Sequence, residues 1–230
     1  VKQAGAARGL RVRVKSSAKR SVSSKRWLDR QLNDPYVAAA QRAGWRSRAA
    51  FKLIALDERF KLLKKGALVL DLGAAPGGWT QVALSRGASR VVGIDLLAMN
   101  PVPGAVLIEG DFMEGGMAAR LEAALGGKPG VVLSDMAPNT TGHAATDHLR
   151  IMALAELAAG FALDVLAPGG SFVAKVFQGG SEAGMLTMLK RHFVAVKHAK
   201  PPASRKDSSE LYVVAMGFRG EIDPATQGLA

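Results

Sequence analysis

The chain has 230 residues, 48% hydrophobic and 22% charged, an ordinary globular composition with enough length to bury a sizeable core. It has no cysteine, which excludes a disulfide framework, thiolate metal sites and a cysteine nucleophile. Lys and Arg outnumber Asp and Glu by 31 to 19, a net charge of +12, which suits a polyanionic partner and disfavours a small-molecule substrate.

Nine of those cations lie in residues 1–26, which hold no acid, so the rest of the chain carries only +3. Residues 1–24 have too few large apolar side chains to offset the entropy of ordering, and are expected to form a flexible basic arm. The arm has no amphipathic stripe, which favours nucleic acid over a membrane surface. No apolar run reaches the roughly 18–20 residues of a membrane span, and residues 1–26 lack the apolar stretch of a secretory signal. An Arg- and Ser-rich, acid-free start also fits a mitochondrial transit peptide. Without a clear amphipathic helix, a cytoplasmic arm fits better.

A folded domain is expected over residues 25–219, followed by a frayed polar tail over 220–230. Asp34-Pro35 is a helix start, with Asp as N-cap and Pro at the first position. Tyr36, Val37, Ala40 and Ala43 follow at helical spacing, and Gly44 stops the helix. Ser47 is expected to cap a second helix that carries Ala50, Phe51, Ile54, Leu56 and Phe60.

After Gly66 the rhythm changes. Residues 68–72, 90–95, 105–109, 130–135 and 171–177 read as buried strands. Helices are expected over 79–85, 117–125, 148–166 and 181–192. Two further strands, 193–198 and 211–217, are separated only by a loop, which predicts an antiparallel excursion at the end of an otherwise parallel sheet. Alternating strands and helices imply an α/β fold, mostly parallel, with helices on both faces.

The turn Asp71-Leu-Gly-Ala-Ala-Pro-Gly-Gly78 follows the first strand. In doubly wound folds, ligands sit beyond the carboxyl ends of the strands. Gly73 permits a tight turn, and Gly77 and Gly78 are expected to let the backbone approach a ligand. The spacing is neither that of a dinucleotide fingerprint nor that of a phosphate-cradling loop. Asp71, Asp95, Asp111 and Asp135 all stand at strand ends. A carboxylate at Asp95 suits two ribose hydroxyls, and one at Asp111 suits an adenine amino group. The pocket thus favours a cationic nucleoside such as S-adenosylmethionine. Trp79 is expected either to line it or to pack in the core.

Lys175 breaks the apolar run Phe172-Val-Ala-Lys-Val-Phe177, an expensive place for an unpaired charge. Asp135 ends the neighbouring strand and can meet it. Glu210 begins the last strand, and Lys52 lies upstream of the sheet. Taken alone, Lys52 and Glu210 read as surface charges.

Five stretches carry a resemblance: Ser47–Leu53, Asp71–Trp79, Ser134–Asn139, Leu166–Val173 with Lys175–Gly179, and Ser208–Val213. Together they resemble the FtsJ/RrmJ-type ribosomal RNA large-subunit 2′-O-methyltransferase family over about residues 25–218. The resemblance implies a Rossmann-like class I S-adenosylmethionine-dependent methyltransferase with a seven-stranded sheet. It implies a catalytic tetrad of Lys52, Asp135, Lys175 and Glu210. It implies cofactor contacts at Gly77, Gly78, Trp79, Asp95, Asp111 and Asp135, beside Gly73 of the turn. The implied reaction moves a methyl group to a ribose 2′-hydroxyl, a uridine of 23S ribosomal RNA in the large subunit, without a metal.

Lys175 is expected to contact the 2′-hydroxyl. Lys52 would lower its pKa and Asp135 and Glu210 would raise it, so a base and an orienting cation both stand. Lys52 can instead hold the substrate phosphate. His143, His148, His192 and His198 lack ligand-like spacing and are expected at the surface. Substrate grip is expected from the cations of residues 30–65, the loop 200–206 and the arm. Nothing in the sequence demands an oligomer, and a monomer is expected. The same chemistry on transfer RNA or an mRNA cap, and a ribosome-assembly binding factor on this scaffold, are the competing readings.

Overall fold

In the computed structural model the described residues are 32–138, 141–179 and 183–220. The expected arm over 1–24 and all but the first residue of the expected tail lie outside them.

Asp34 starts α1 (Pro35–Ala43) as its chemistry requires: its Oδ1 accepts the Tyr36 N–H at 3.0 Å, and Pro35 follows where no amide donor is needed. Ser47 does not cap α2 (Ala50–Phe60). The N-cap is Ala49, with no side-chain hydrogen bond. A turn bonded from Ala50 N–H to Ser47 O precedes the helix, and the Ser47 hydroxyl is buried without a hydrogen-bond partner.

The sheet contains β1 (Leu68–Leu72), β2 (Arg90–Asp95), β3 (Ala105–Glu109), β4 (Val131–Ser134), β5 (Ser171–Phe177), β6 (Phe193–Ala199) and β7 (Glu210–Phe218). Its order is β3-β2-β1-β4-β5-β7-β6, with β7 antiparallel to both neighbours and the other pairs parallel. The helices between strands are α3 (Gly78–Ser85), α4 (Met117–Leu125), α5 (Ala144–Val165) and α6 (Ala183–His192). This is the expected Rossmann-like α/β architecture, with the antiparallel excursion at one end. α5 begins one turn before the expected His148, because the Asp147 carboxylate accepts the Thr141 amide and hydroxyl and the Gly142 amide and so holds the chain at its entry.

Period-two alternation sends each strand's side chains to two cores. Leu70, Leu72, Val92 and Ile94 pack with Leu121 of α4, Met152 of α5 and Leu189 of α6. Val69, Val91, Leu133 and Val214 pack with Leu53 and Leu56 of α2 and Val82 of α3 on the other face. The chain reverses direction of travel across the sheet between β1 and β4, so a crevice opens beyond their carboxyl ends.

Asp71 does not reach that crevice. It is 1% exposed, and its Oδ2 accepts the Thr80 hydroxyl at 2.7 Å, tying β1 to α3. Burial pushes its carboxyl up from 3.8 to about 7; the Thr80 hydroxyl and amide oppose the shift, and the Asp135 and Asp95 charges add to it. The native state therefore holds a proton that the unfolded chain releases. This contribution to stability is complete below about pH 4 and is lost as pH rises toward about 7. Asp71→Asn keeps an acceptor for Thr80 and is expected to flatten that slope. Urea unfolding between about pH 5 and pH 8 measures it; an unchanged slope would place the titrating group elsewhere.

Candidate active site

The parallel order sets Asp135, just past β4, beside Lys175 in β5. Lys175 Nζ stands 3.0 Å from Asp135 Oδ1 and donates to the Asp135 carbonyl at 2.8 Å. The antiparallel register opposes Lys175 to Tyr212 and Phe177 to Glu210. Glu210 and Tyr212, two apart on β7, share a face. Lys52 reaches this face from α2, donating to Glu210 Oε2 at 2.9 Å and lying 3.7 Å from Asp135 Oδ1. The structure thus brings Lys52, Asp135, Lys175 and Glu210 together, and the two residues that alone read as surface charges belong to the cluster. Lys175 is only 8% exposed and Lys52 9%, so each ammonium depends on its carboxylate partners.

Two members of this arrangement are absent from the sequence reading. The Tyr212 hydroxyl donates to Asp135 Oδ1 at 2.6 Å, and the Ser204 hydroxyl donates to Glu210 Oε1 at 2.6 Å. Tyr212 was legible in principle, since strand period places it on the face of Glu210. Ser204 sits in a loop and had no pattern to reveal it. Burial favours a neutral Asp135, but the Lys175 and Lys52 charges and the Tyr212 and Lys175 hydrogen bonds outweigh it and lower its pKa. Burial, with the Asp135 and Glu210 charges, pushes the Tyr212 phenol well above its ordinary value, so it acts as a donor.

A cleft of about 580 Å³ adjoins Asp135. Gly73, Asp95, Asp111 and Asp135 line it, with Phe112 and Leu157 among its apolar walls. Asp95 Oδ2 accepts the Ala75 N–H at 2.9 Å and Oδ1 the Leu97 N–H at 2.8 Å. Asp111 Oδ1 accepts the Met113 N–H at 2.9 Å. Both carboxylates are thereby aimed, and each oxygen retains acceptor capacity.

Tertiary packing decides the surroundings of Trp79, of two glycines and of two histidines. Trp79 packs in the core: its indole N–H donates to Ala49 O at 2.8 Å and its ring lies 5.7 Å from that of Tyr212. At Gly77 and Gly78 the space that a Cβ would need is taken by protein side chains, so close packing by itself requires both glycines. A Cβ on Gly78 would stand 2.5 Å from Ser47 Oγ, and one on Gly77 would stand 2.9 Å from Val102 and 3.2 Å from Arg46. His148 is half-buried beside Phe177, not at the surface, and His192 is half-buried as well.

Several cations expected to grip substrate are clamps instead. The Arg46 guanidinium donates to the carbonyls of Pro76, Asn100 and Pro101. Arg48 pairs with Asp34 at 2.6 Å and donates to Ala203 O, which holds the Ser204 loop against α1. Lys200 closes the same loop onto the carbonyls of Lys206 and Ser208. Arg42, Lys61, Lys64 and Lys65 remain exposed on the side of α1 and α2.

Tyr212→Phe removes one charge-assisted hydrogen bond and little volume. It is expected to lower stability by about 2 kcal/mol. Denaturant midpoints at an unchanged slope would measure this, and no shift would mean that the lysines alone satisfy Asp135.

The FtsJ-like methyltransferase family model matches residues 45–218. A protein of Granulibacter bethesdensis named Ribosomal RNA large subunit methyltransferase E is 68% identical over 212 residues, 92% of each chain. One of the same name from Acidiphilium cryptum is 66% identical, covering 94% of this chain and 96% of its own. Among solved structures, a Plasmodium falciparum chain described as a ribosomal RNA methyltransferase superposes with a TM-score of 0.68. It is 33% identical, over 77% of this chain and 100% of its own.

Proposed function

Since the chain belongs to the FtsJ-like methyltransferase family, we propose that it methylates a ribose 2′-hydroxyl of large-subunit ribosomal RNA, at a uridine, with S-adenosylmethionine as donor. The observation that carries this reading is the adjacency of two features. A buried cluster of two lysines and two acids meets, at Asp135, a cleft rimmed by Asp95 and Asp111. The names of the most similar relatives support the substrate, a large-subunit ribosomal RNA. A cytoplasmic monomer is the state in which we place it.

The donor set fits the proposed cofactor. Carboxylates at Asp95 and Asp111 accept hydroxyl and amino hydrogens, and the apolar walls suit a planar base. An acid-rimmed cleft also suits a ligand of net positive charge better than a pyrophosphate. When bound, S-adenosylmethionine supplies a methyl group on a positively charged sulfur. Among the described residues no group of three or more His, Asp or Glu side chains is arranged to hold a metal ion.

Lys175 commits two donors to Asp135 and has a third for the 2′-oxygen. In that role it holds the hydroxyl with a lone pair turned toward the methyl carbon; the oxygen–methyl bond forms as the methyl–sulfur bond breaks, and the hydroxyl proton passes to solvent water. Asp135 fixes Lys175, and Tyr212 fixes Asp135. Lys52 and Glu210 neutralise one another beside them. Alignment of this kind is worth up to roughly 7–11 kcal/mol of a two-body barrier.

The test is transfer of labelled methyl groups to large subunits, small subunits and bulk transfer RNA from a strain lacking the protein. Label is expected only in large-subunit RNA, at an alkali-resistant linkage. Lys175→Ala is expected to slow single-turnover transfer by about 10²-fold or more with donor binding intact. Label on transfer RNA would replace the substrate. No label on any RNA would overturn the reading in favour of a binding factor.

A further inference from the structure

A second concavity, of about 340 Å³, opens at the carboxyl end of β5. Pro138, His148, Phe177, Gln178 and Ser209 are among its walls. Pro138 also lines the acid-rimmed cleft, so the two spaces share a wall.

Its position follows from strand geometry. Lys175 and Phe177 are two apart in β5, on one face and about 7 Å apart along the strand. Their partners across the ladder are Tyr212 and Glu210. The Phe177 ring therefore stands next to the lysine–acid cluster, two ladder positions beyond Lys175. That separation is within the reach of a single nucleoside.

The walls carry the chemistry of base recognition. The His148 and Phe177 rings lie 6.3 Å apart, inclined at 49°. The imidazole rests against the Gly179 backbone, where a Cβ would stand 2.5 Å from its Cε1. The Gln178 backbone N–H donates to the Ser209 carbonyl at 2.9 Å, which sets these two polar residues side by side on one rim of the concavity. Aromatic faces stack on a base of any sequence, and an amide with a hydroxyl offers both donors and acceptors to its edge. No Lys or Arg is among the described walls, and the Asp147 carboxylate is, which disfavours a phosphate.

We infer that this concavity holds the base of the nucleotide whose ribose is methylated, stacked on Phe177 and His148 and read at its edge by Gln178 and Ser209. This rests on the ribose-methylation reading above.

Uridine 5′-monophosphate titrated into the whole protein is expected to shift the ring resonances of His148 and not those of His143, His192 or His198. Gln178→Ala, an exposed position, is expected to weaken that binding roughly tenfold. No shift at His148 overturns the assignment whether or not RNA is methylated. In parallel, Phe177→Leu and Gln178→Ala are each expected to lower kcat/KM on large subunits roughly tenfold, with donor affinity unchanged. Unchanged kcat/KM in both variants also overturns it. If the nucleotide shifts His148 while the wild-type protein methylates no RNA, the base site stands and the ribose-methylation reading falls.

Discussion

A lysine buried at the end of a sheet is stable as an ammonium only where a carboxylate faces it, because desolvation costs more than the fold can otherwise supply. Here two lysines meet two acids within a few ångströms, and the surrounding architecture is arranged to keep them there. Asp135 receives Lys175, Lys52 and the Tyr212 hydroxyl together. Those contacts come from the end of β4, the middle of β5, helix α2 and strand β7. Loss of any one of these elements would leave an unpaired charge in the interior.

The antiparallel strand is central to this arrangement. A further parallel strand beside β5 would present its carboxyl end at the site. Because β7 enters in the opposite sense, its first residue, Glu210, arrives at the site instead. The loop before β7 then matters. It donates Ser204 to Glu210 and is held by Arg48, Asp34 and Lys200. The N-terminal helices are thus more than a cover on the sheet. Lys52 of α2 enters the cluster, Arg46 before it fastens the turns that flank the cleft, and Arg48 holds the loop before β7.

The basic character of the chain divides in two on this view. Arg46, Arg48, Lys200 and Arg205 are engaged by carbonyls or by Asp34 and shape the site. The exposed cations of residues 42–65 remain available to a polyanion. Counting charge in a sequence does not separate these roles, because a guanidinium that clamps a carbonyl and one that grips a phosphate are the same residue type.

Much was legible from residues alone. Short continuous apolar runs and glycine punctuation specified the strands, the α/β class and the antiparallel ending, because burial on both faces constrains every side chain of a strand. The acids at the carboxyl ends of β2 and β3 and the lysine within β5 stood out as polar residues where apolar ones belong. Composition could not bring Lys52, 158 positions from Glu210, to its partner. That pairing, like the placement of Ser204 and Tyr212, depends on strand order and direction. Likewise, the space before Gly77 and Gly78 is filled by Arg46, Val102 and Ser47, and the Trp79 indole by contact with Ala49 and Tyr212 belongs to the core. Local pattern shows which residues leave water; only tertiary packing decides which of them meet, because those contacts join segments that are remote in the chain.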